Sequence, residues 1–169
     1  TAIGLLIDEG KLSLDTRVVD VFKDKVSLLN AIKLKNLTIR HLLTMMSGVS
    51  FNESGAISGN DWVSGYIDSP LHFNPGTKFE YNSMNSYMLS AVVSEITGSS
   101  MEEYLKKKLF TPLGISDYIW EKCPKGITKG GWGLFMLPED VAKIGQLYLN
   151  RGLWEGHRIL SAEWVNDAT

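Results

Sequence analysis

Apolar residues recur at helical spacing between start and stop signals in one segment after another, and this limits what the chain can become. Ile39, Leu42, Leu43 and Met46 fall at i, i+3, i+4 and i+7, behind Thr38 as a candidate N-cap and before Gly48 as a stop. A weaker helical pattern in NDWVSGYIDS ends at Pro70. Over residues 84–97, Met84, Met88, Ala91 and Val92 form an apolar stripe, Ser86, Ser90 and Ser94 repeat on another face, and Gly98 closes the run. Ser100 and Glu103 have capping-box spacing ahead of MEEYLKKKLF. A further helix starts near Pro138, with Val141, Ile144 and Tyr148 expected inward and Glu139, Lys143 and Gln146 outward. Strand candidates are few and short. A mainly α fold is expected.

The 169 residues have the length of one domain and contain no repeat, low-complexity tract or linker that would divide them. Net charge is -2, and lysines and arginines are interspersed with acids, which excludes a nucleic-acid-binding face. No apolar run approaches the roughly 20 residues of a membrane-spanning helix. Cys123 is the single cysteine, so an internal disulfide is excluded, and nothing around it suggests a nucleophile. His41, His72 and His157 lie far apart without a second ligand at helical spacing, so no metal site is expected. KGGWG, residues 129–133, lacks the phosphate-loop pattern and reads as a tight turn. Tryptophans at 62, 120, 132, 154 and 164 share no period and read as core residues.

Tyr81 is the residue that raises a chemical question. In FEYNSMNSYML it stands between the Pro75–Gly76 turn and a helix start, followed directly by Asn82 and Ser83. One reading is an ordinary aromatic anchor; the other is proton chemistry at its hydroxyl. A free phenol titrates near 10, so a tyrosine acting as a base around neutral pH needs about 4 kcal/mol of selective support for its anion. Adjacent cations supply such support. Lys78, three residues back along an extended segment, is expected to point to the opposite face.

Five phrases shift the balance between these readings. LTIRHLLTMMSGV, PGTKFEYNSMNSYMLSAVVSEITG, MEEYLKKKLFTPLGI, GGWGLFMLPEDVAKIGQLYLNRGLW and ILSAEWV, in this order and at these distances, resemble the serine β-lactamase-like family. That family includes class C β-lactamases, penicillin-binding proteins, D-alanyl-D-alanine carboxypeptidases and related esterases. The resemblance implies the helical domain and flanking pieces of the family's α/β plus α fold, over nearly the whole chain. It also implies a hydrolase that attacks an amide or ester carbonyl through an acyl-enzyme, with no cofactor.

In that family an SxxK motif gives the acylated serine and its lysine, a Y-x-N motif gives a tyrosine of the proton relay, and a KTG or HxG strand borders the site. Tyr81 matches the second motif's tyrosine, which makes it the candidate catalytic residue. Ser83 stands where the family has asparagine, and Asn82 occupies the middle position; both are candidate substrate-binding residues. No Ser or Thr here is followed three places on by Lys, and no KTG or HxG occurs. TAIGLLIDEG resembles the continuation of the SxxK helix. Residues 1–169 are therefore expected to be the middle of a β-lactamase-like domain, inactive alone, with SxxK upstream and the third motif downstream. Family resemblance implies a β-lactam, peptidoglycan-type peptide or ester as substrate, an extracytoplasmic setting, and self-association through an apolar face left uncovered. The rival expectation is a non-catalytic truncated relative that serves as a binding module.

Overall fold

The computed structural model describes residues 1–51 and 59–169. Its elements run α1 (Ala2–Asp8), α2 (Val18–Val21), α3 (Leu28–Lys33), α4 (Ile39–Leu43), α5 (Trp62–Asp68), α6 (Ser83–Thr97) and α7 (Met101–Leu105), the last continuing into a π turn (Lys106–Phe110). β1 (Tyr118–Trp120), β2 (Leu134–Met136), α8 (Pro138–Leu149), β3 (Leu153–Trp154), β4 (His157–Arg158) and α9 (Ala162–Ala168) follow. The fold is mainly α. β1 pairs antiparallel with β2, and β3 with β4, as two separate two-stranded sheets.

Local chemistry sets the helix ends. Ser100 Oγ accepts the Glu103 N–H at 3.2 Å while Glu103 Oε2 accepts the Ser100 N–H at 2.9 Å, so two otherwise unpaired donors at the start of α7 are satisfied reciprocally. At α4 the Nδ1 of His41 accepts the Thr38 N–H at 3.3 Å. Gly98 ends α6 in the left-handed region at φ 70°, where a side chain would be strained.

α6 is the axis of the core. Met84, Tyr87, Met88, Ala91, Val92 and Val93 are all buried on it, against α1, α2, α4, α5 and α7. Each buried methionine and valine contributes roughly 1.5–3 kcal/mol by leaving water, so the helix is fixed by packing on nearly every side. Its serine face is covered too: Ser90 is fully buried. At the far side Trp164 of α9 lies across α1 at Gly4, where a Cβ would stand 2.4 Å from the indole.

α8 departs from the expected stripe. Val141, read as inward, is 54% exposed. The inward arc instead runs Asp140, Ile144, Leu147 and Tyr148, with Asp140 buried and its carboxylate 2.6 Å from Lys143 Nζ. Because a paired carboxylate takes the inner place in the first turn, Val141 is rotated about 100° further round, toward solvent. Lys143, read as outward, folds back to Asp140 and to the Gly114 carbonyl.

Candidate active site around Tyr81

The chain reaches Tyr81 along an irregular segment stitched to the end of α4. Gly76 N–H donates to Met46 O and Glu80 N–H to Met45 O, both at 2.9 Å. Met45 is held at φ 57°, a left-handed conformation that is costly for a residue with a Cβ, and this aims its carbonyl at the Glu80 amide. Side chains then alternate. Lys78 turns to the Phe73 ring, 5.6 Å from its centroid, and Glu80 turns to His72 at 3.3 Å. Phe79 and Tyr81 are both exposed.

Asn82 is the N-cap of α6. Its Oδ1 accepts the Met84 N–H at 2.9 Å, and its Nδ2 donates to Val49 O at 3.0 Å and Phe51 O at 2.8 Å. Both amide hydrogens are therefore committed to the loop after α4. Ser83 opens the helix and is buried, with Gly131 packed on it so closely that a Cβ there would meet the Ser83 carbonyl at 2.5 Å. Tyr81 itself is 69% exposed, and its hydroxyl makes no hydrogen bond among the described residues. The phenol is not sealed in apolar packing.

Two features of this region were not anticipated from sequence. Asn85, one turn into α6 and fully buried, takes hydrogen bonds on Oδ1 from Ser47 Oγ at 2.8 Å and Tyr66 OH at 2.6 Å, and its Nδ2 lies 3.6 Å from Met45 Sδ. No sequence signal marked it, because its partners are remote in the chain. The second is KGGWG, which is more than a turn: Gly130 and Gly131 press against the Ser86 and Ser83 carbonyls, and a Cβ on Gly130 would stand 2.2 Å from the former. Successive glycines at Ser86 and then Ser83 carry this segment toward the N-terminus of α6, where Trp132 follows. Trp132 stacks on Trp62 with centroids 6.0 Å apart, and Lys129 Nζ lies 5.8 Å from both rings and 2.7 Å from Glu121. Trp62 and Trp132 are half-buried where core positions were expected.

Burial sorts the tyrosines by chemistry. Those at 66, 87 and 104 are pushed well above the ordinary phenol value by desolvation, and their hydroxyls stay protonated near neutral pH. Tyr81 stands just before the N-terminus of the 15-residue α6. Among the described residues no three of His, Cys, Asp and Glu come together as a metal site. A hollow of about 590 Å³ lined by Leu14, Arg40, Leu43, Thr44, Trp164, Asp167 and Ala168 does not include Tyr81.

The mainly α architecture around the buried α6, with only short two-stranded sheets beside it, is that of the serine β-lactamase and penicillin-binding class of fold. The Beta-lactamase family pattern matches residues 1–168, and the chain belongs to that family. It is 26% identical over 199 aligned residues to penicillin-binding protein 4 of Amycolatopsis lactamdurans, covering 96% of this chain and 51% of that protein. Among solved structures, a penicillin-binding protein homologue from Caulobacter crescentus superposes with a TM-score of 0.77 at 16% identity, covering 99% of this chain and 57% of that one. A family VIII carboxylesterase superposes with a TM-score of 0.79 at 18% identity, covering 98% of this chain and 56% of that one. The chain spans about half the length of the first of these relatives.

Proposed function

We propose that this chain is the middle of a serine hydrolase domain that cleaves an amide or ester carbonyl through an acyl-enzyme, with Tyr81 in the proton relay. The carrying observation is the position of Tyr81: an exposed phenol whose backbone is fixed on one side by Glu80 to Met45 and on the other by Asn82 to Val49 and Phe51. A group that must meet a hydroxyl from another segment has to be both accessible and held in place.

In this reading a serine Oγ loses its proton to the Tyr81 oxygen as it attacks the carbonyl, backbone N–H groups stabilise the oxyanion, and the proton passes to the leaving group. A lysine of the parent protein supplies the positive charge that supports the Tyr81 anion. Asn82 acts on the substrate through the loop it holds, since its amide is fully engaged there. The Ser83 hydroxyl takes the asparagine's place at the inner edge of the site. The substrate is a β-lactam, a D-Ala-D-Ala-type peptide or an ester, in keeping with relatives described as a penicillin-binding protein and a carboxylesterase.

The test has two arms. The whole parent protein should hydrolyse a chromogenic cephalosporin or a nitrophenyl ester, and Tyr81→Phe should cut kcat about 10²–10⁴-fold. Residues 1–169 alone should show no turnover, because they contain no SxxK. Robust turnover by the 169-residue chain, lost in Tyr81→Phe, would overturn the assignment of the nucleophile to another segment. We further propose that the isolated chain self-associates through the exposed Ile119–Phe135 cross-strand pair of β1 and β2. A monomer across the micromolar range in sedimentation velocity would refute this.

A further inference from the structure

α3 is mounted with its polar side inward. Asn30 Nδ2 donates to Asp68 Oδ1 at 2.7 Å, and Lys33 Nζ donates to the Ile67 and Ser69 carbonyls, both at 2.8 Å. Lys33 thereby satisfies carbonyls at the C-terminal end of α5, a favourable place for a cation, and its partial burial lowers its pKa. The opposite face carries Leu28, Leu29 and Ile32, which are 78%, 79% and 60% exposed. Spacings of three and four residues put these aliphatics side by side. A helix turned over about its axis would bury them, yet three directed hydrogen bonds hold it the other way.

The surrounding charge is also unlike the rest of the chain. Residues 22–36 contain four lysines, at 23, 25, 33 and 35, and one acid, Asp24, whereas the whole chain is net -2. Lys25 is paired with Glu95, but Lys23 and Lys35 are exposed and carry no ion pair among the described residues. The interspersed charge of the full sequence therefore has one local exception, and it flanks the aliphatic patch along the chain.

We propose that the Leu28–Leu29–Ile32 face docks on an anionic lipid bilayer, with the three aliphatics in the headgroup–acyl boundary and Lys23 and Lys35 over lipid phosphates. The patch is made of highly exposed, flexible aliphatic side chains, with no aromatic or arginine anchor among its three exposed apolar residues, which suits a lipid boundary better than a shaped protein pocket. A six-residue helix is also too short to present the i, i+3/i+4, i+7 anchors of a helix seated in a protein groove. Exposed positive charge on both sides of it in the chain complements anionic headgroups. This is surface attachment: among the described residues no helix is long and apolar enough to cross a membrane. The inference is independent of the role of Tyr81.

Co-sedimentation of the chain with extruded vesicles tests it. Vesicles of phosphatidylcholine with about 30% phosphatidylglycerol should retain the protein, pure phosphatidylcholine much less, and added salt should weaken retention. Leu28→Ser with Leu29→Ser should lower partitioning about tenfold or more, with the circular dichroism spectrum and Tm unchanged. Lys23→Glu with Lys35→Glu should lower it at least about fivefold per lysine on the anionic vesicles only. Absence of wild-type binding, or equal binding by the serine variant, would overturn the proposal. So would a dimer that the serine variant converts to monomer, since a second copy would then be the occupant. An environment-sensitive probe on Leu28→Cys reporting burial in the whole parent protein without vesicles would overturn it as well.

Discussion

The Tyr66 hydroxyl donates to Asn85 Oδ1 at 2.6 Å with both residues fully buried, and Ser47 Oγ shares the same acceptor at 2.8 Å. One amide oxygen thus satisfies two buried hydroxyls from the segments that flank the loop after α4. Removing the acceptor strands both donors, whereas removing one donor leaves the acceptor with a partner. Asn85→Ala should therefore cost about 2–4 kcal/mol in urea unfolding, and Tyr66→Phe only about 1 kcal/mol. Equal costs would mean that Asn85 is not the shared acceptor.

Gly130 and Gly145 make an opposed pair. A Cβ on Gly130 would stand 2.2 Å from the Ser86 carbonyl, a backbone atom inside the core helix, while a Cβ on Gly145 of α8 meets nothing within 4 Å. Gly130→Ala has to push the segment carrying Lys129 and Trp132 off α6 and should destabilise by about 1–3 kcal/mol. Gly145→Ala removes backbone freedom from the unfolded chain at no steric cost and should stabilise by about 0.5–1 kcal/mol. Thermal or urea midpoints moving in opposite directions are the expected result.

Glu9 links the end of α1 to the π turn, with Oε1 at 2.6 Å from Lys108 Nζ and Oε2 at 2.9 Å from Lys11 Nζ. Hydrogen bonds to Lys108 and then Lys11 hold its carboxyl below the ordinary value of 4.5, against the opposing effect of burial. The unfolded chain then binds a proton at a pH where the native one does not, so stability rises with pH in that window. The contribution is complete above about pH 5 and fades as pH falls through the native value. Glu9→Gln should be less stable than wild type at neutral pH, and the gap in urea midpoint should narrow toward pH 3. A constant gap would remove Glu9 as its source.

What could be read from sequence was what depends on neighbours along the chain. The Ser100–Glu103 capping box, the stop at Gly98 and the apolar stripe of α6 are local, and the structure contains each of them. The inverted face of α3 was not legible because its polar tethers go to α5, more than thirty residues away. Val141 was misplaced because periodicity counts apolar residues and cannot know that Asp140, neutralised by Lys143, takes the inner position. At the site, the place of Tyr81 before the helix was legible, whereas the commitment of Asn82 to Val49 and Phe51 depends on a contact across more than thirty residues. The Asn85 cluster was invisible for the same reason.

Tyr81→Phe and Tyr66→Phe remove the same atom from opposite environments, which makes the pair a direct test of what the hydroxyl at 81 is for. At 66 the oxygen is buried and bonded, so its loss is felt in stability. At 81 the ring is 69% exposed and the hydroxyl bonds to nothing among the described residues, so its loss should change stability by no more than about 0.5 kcal/mol. A purely structural tyrosine would show no further consequence. In the whole parent protein, Tyr81→Phe should depress kcat by several orders of magnitude at unchanged Tm, while Tyr66→Phe should lower Tm and leave kcat within about threefold. If Tyr81→Phe instead destabilises the fold by more than about 1.5 kcal/mol, the phenol is serving as an anchor, and the proton-relay role falls with it.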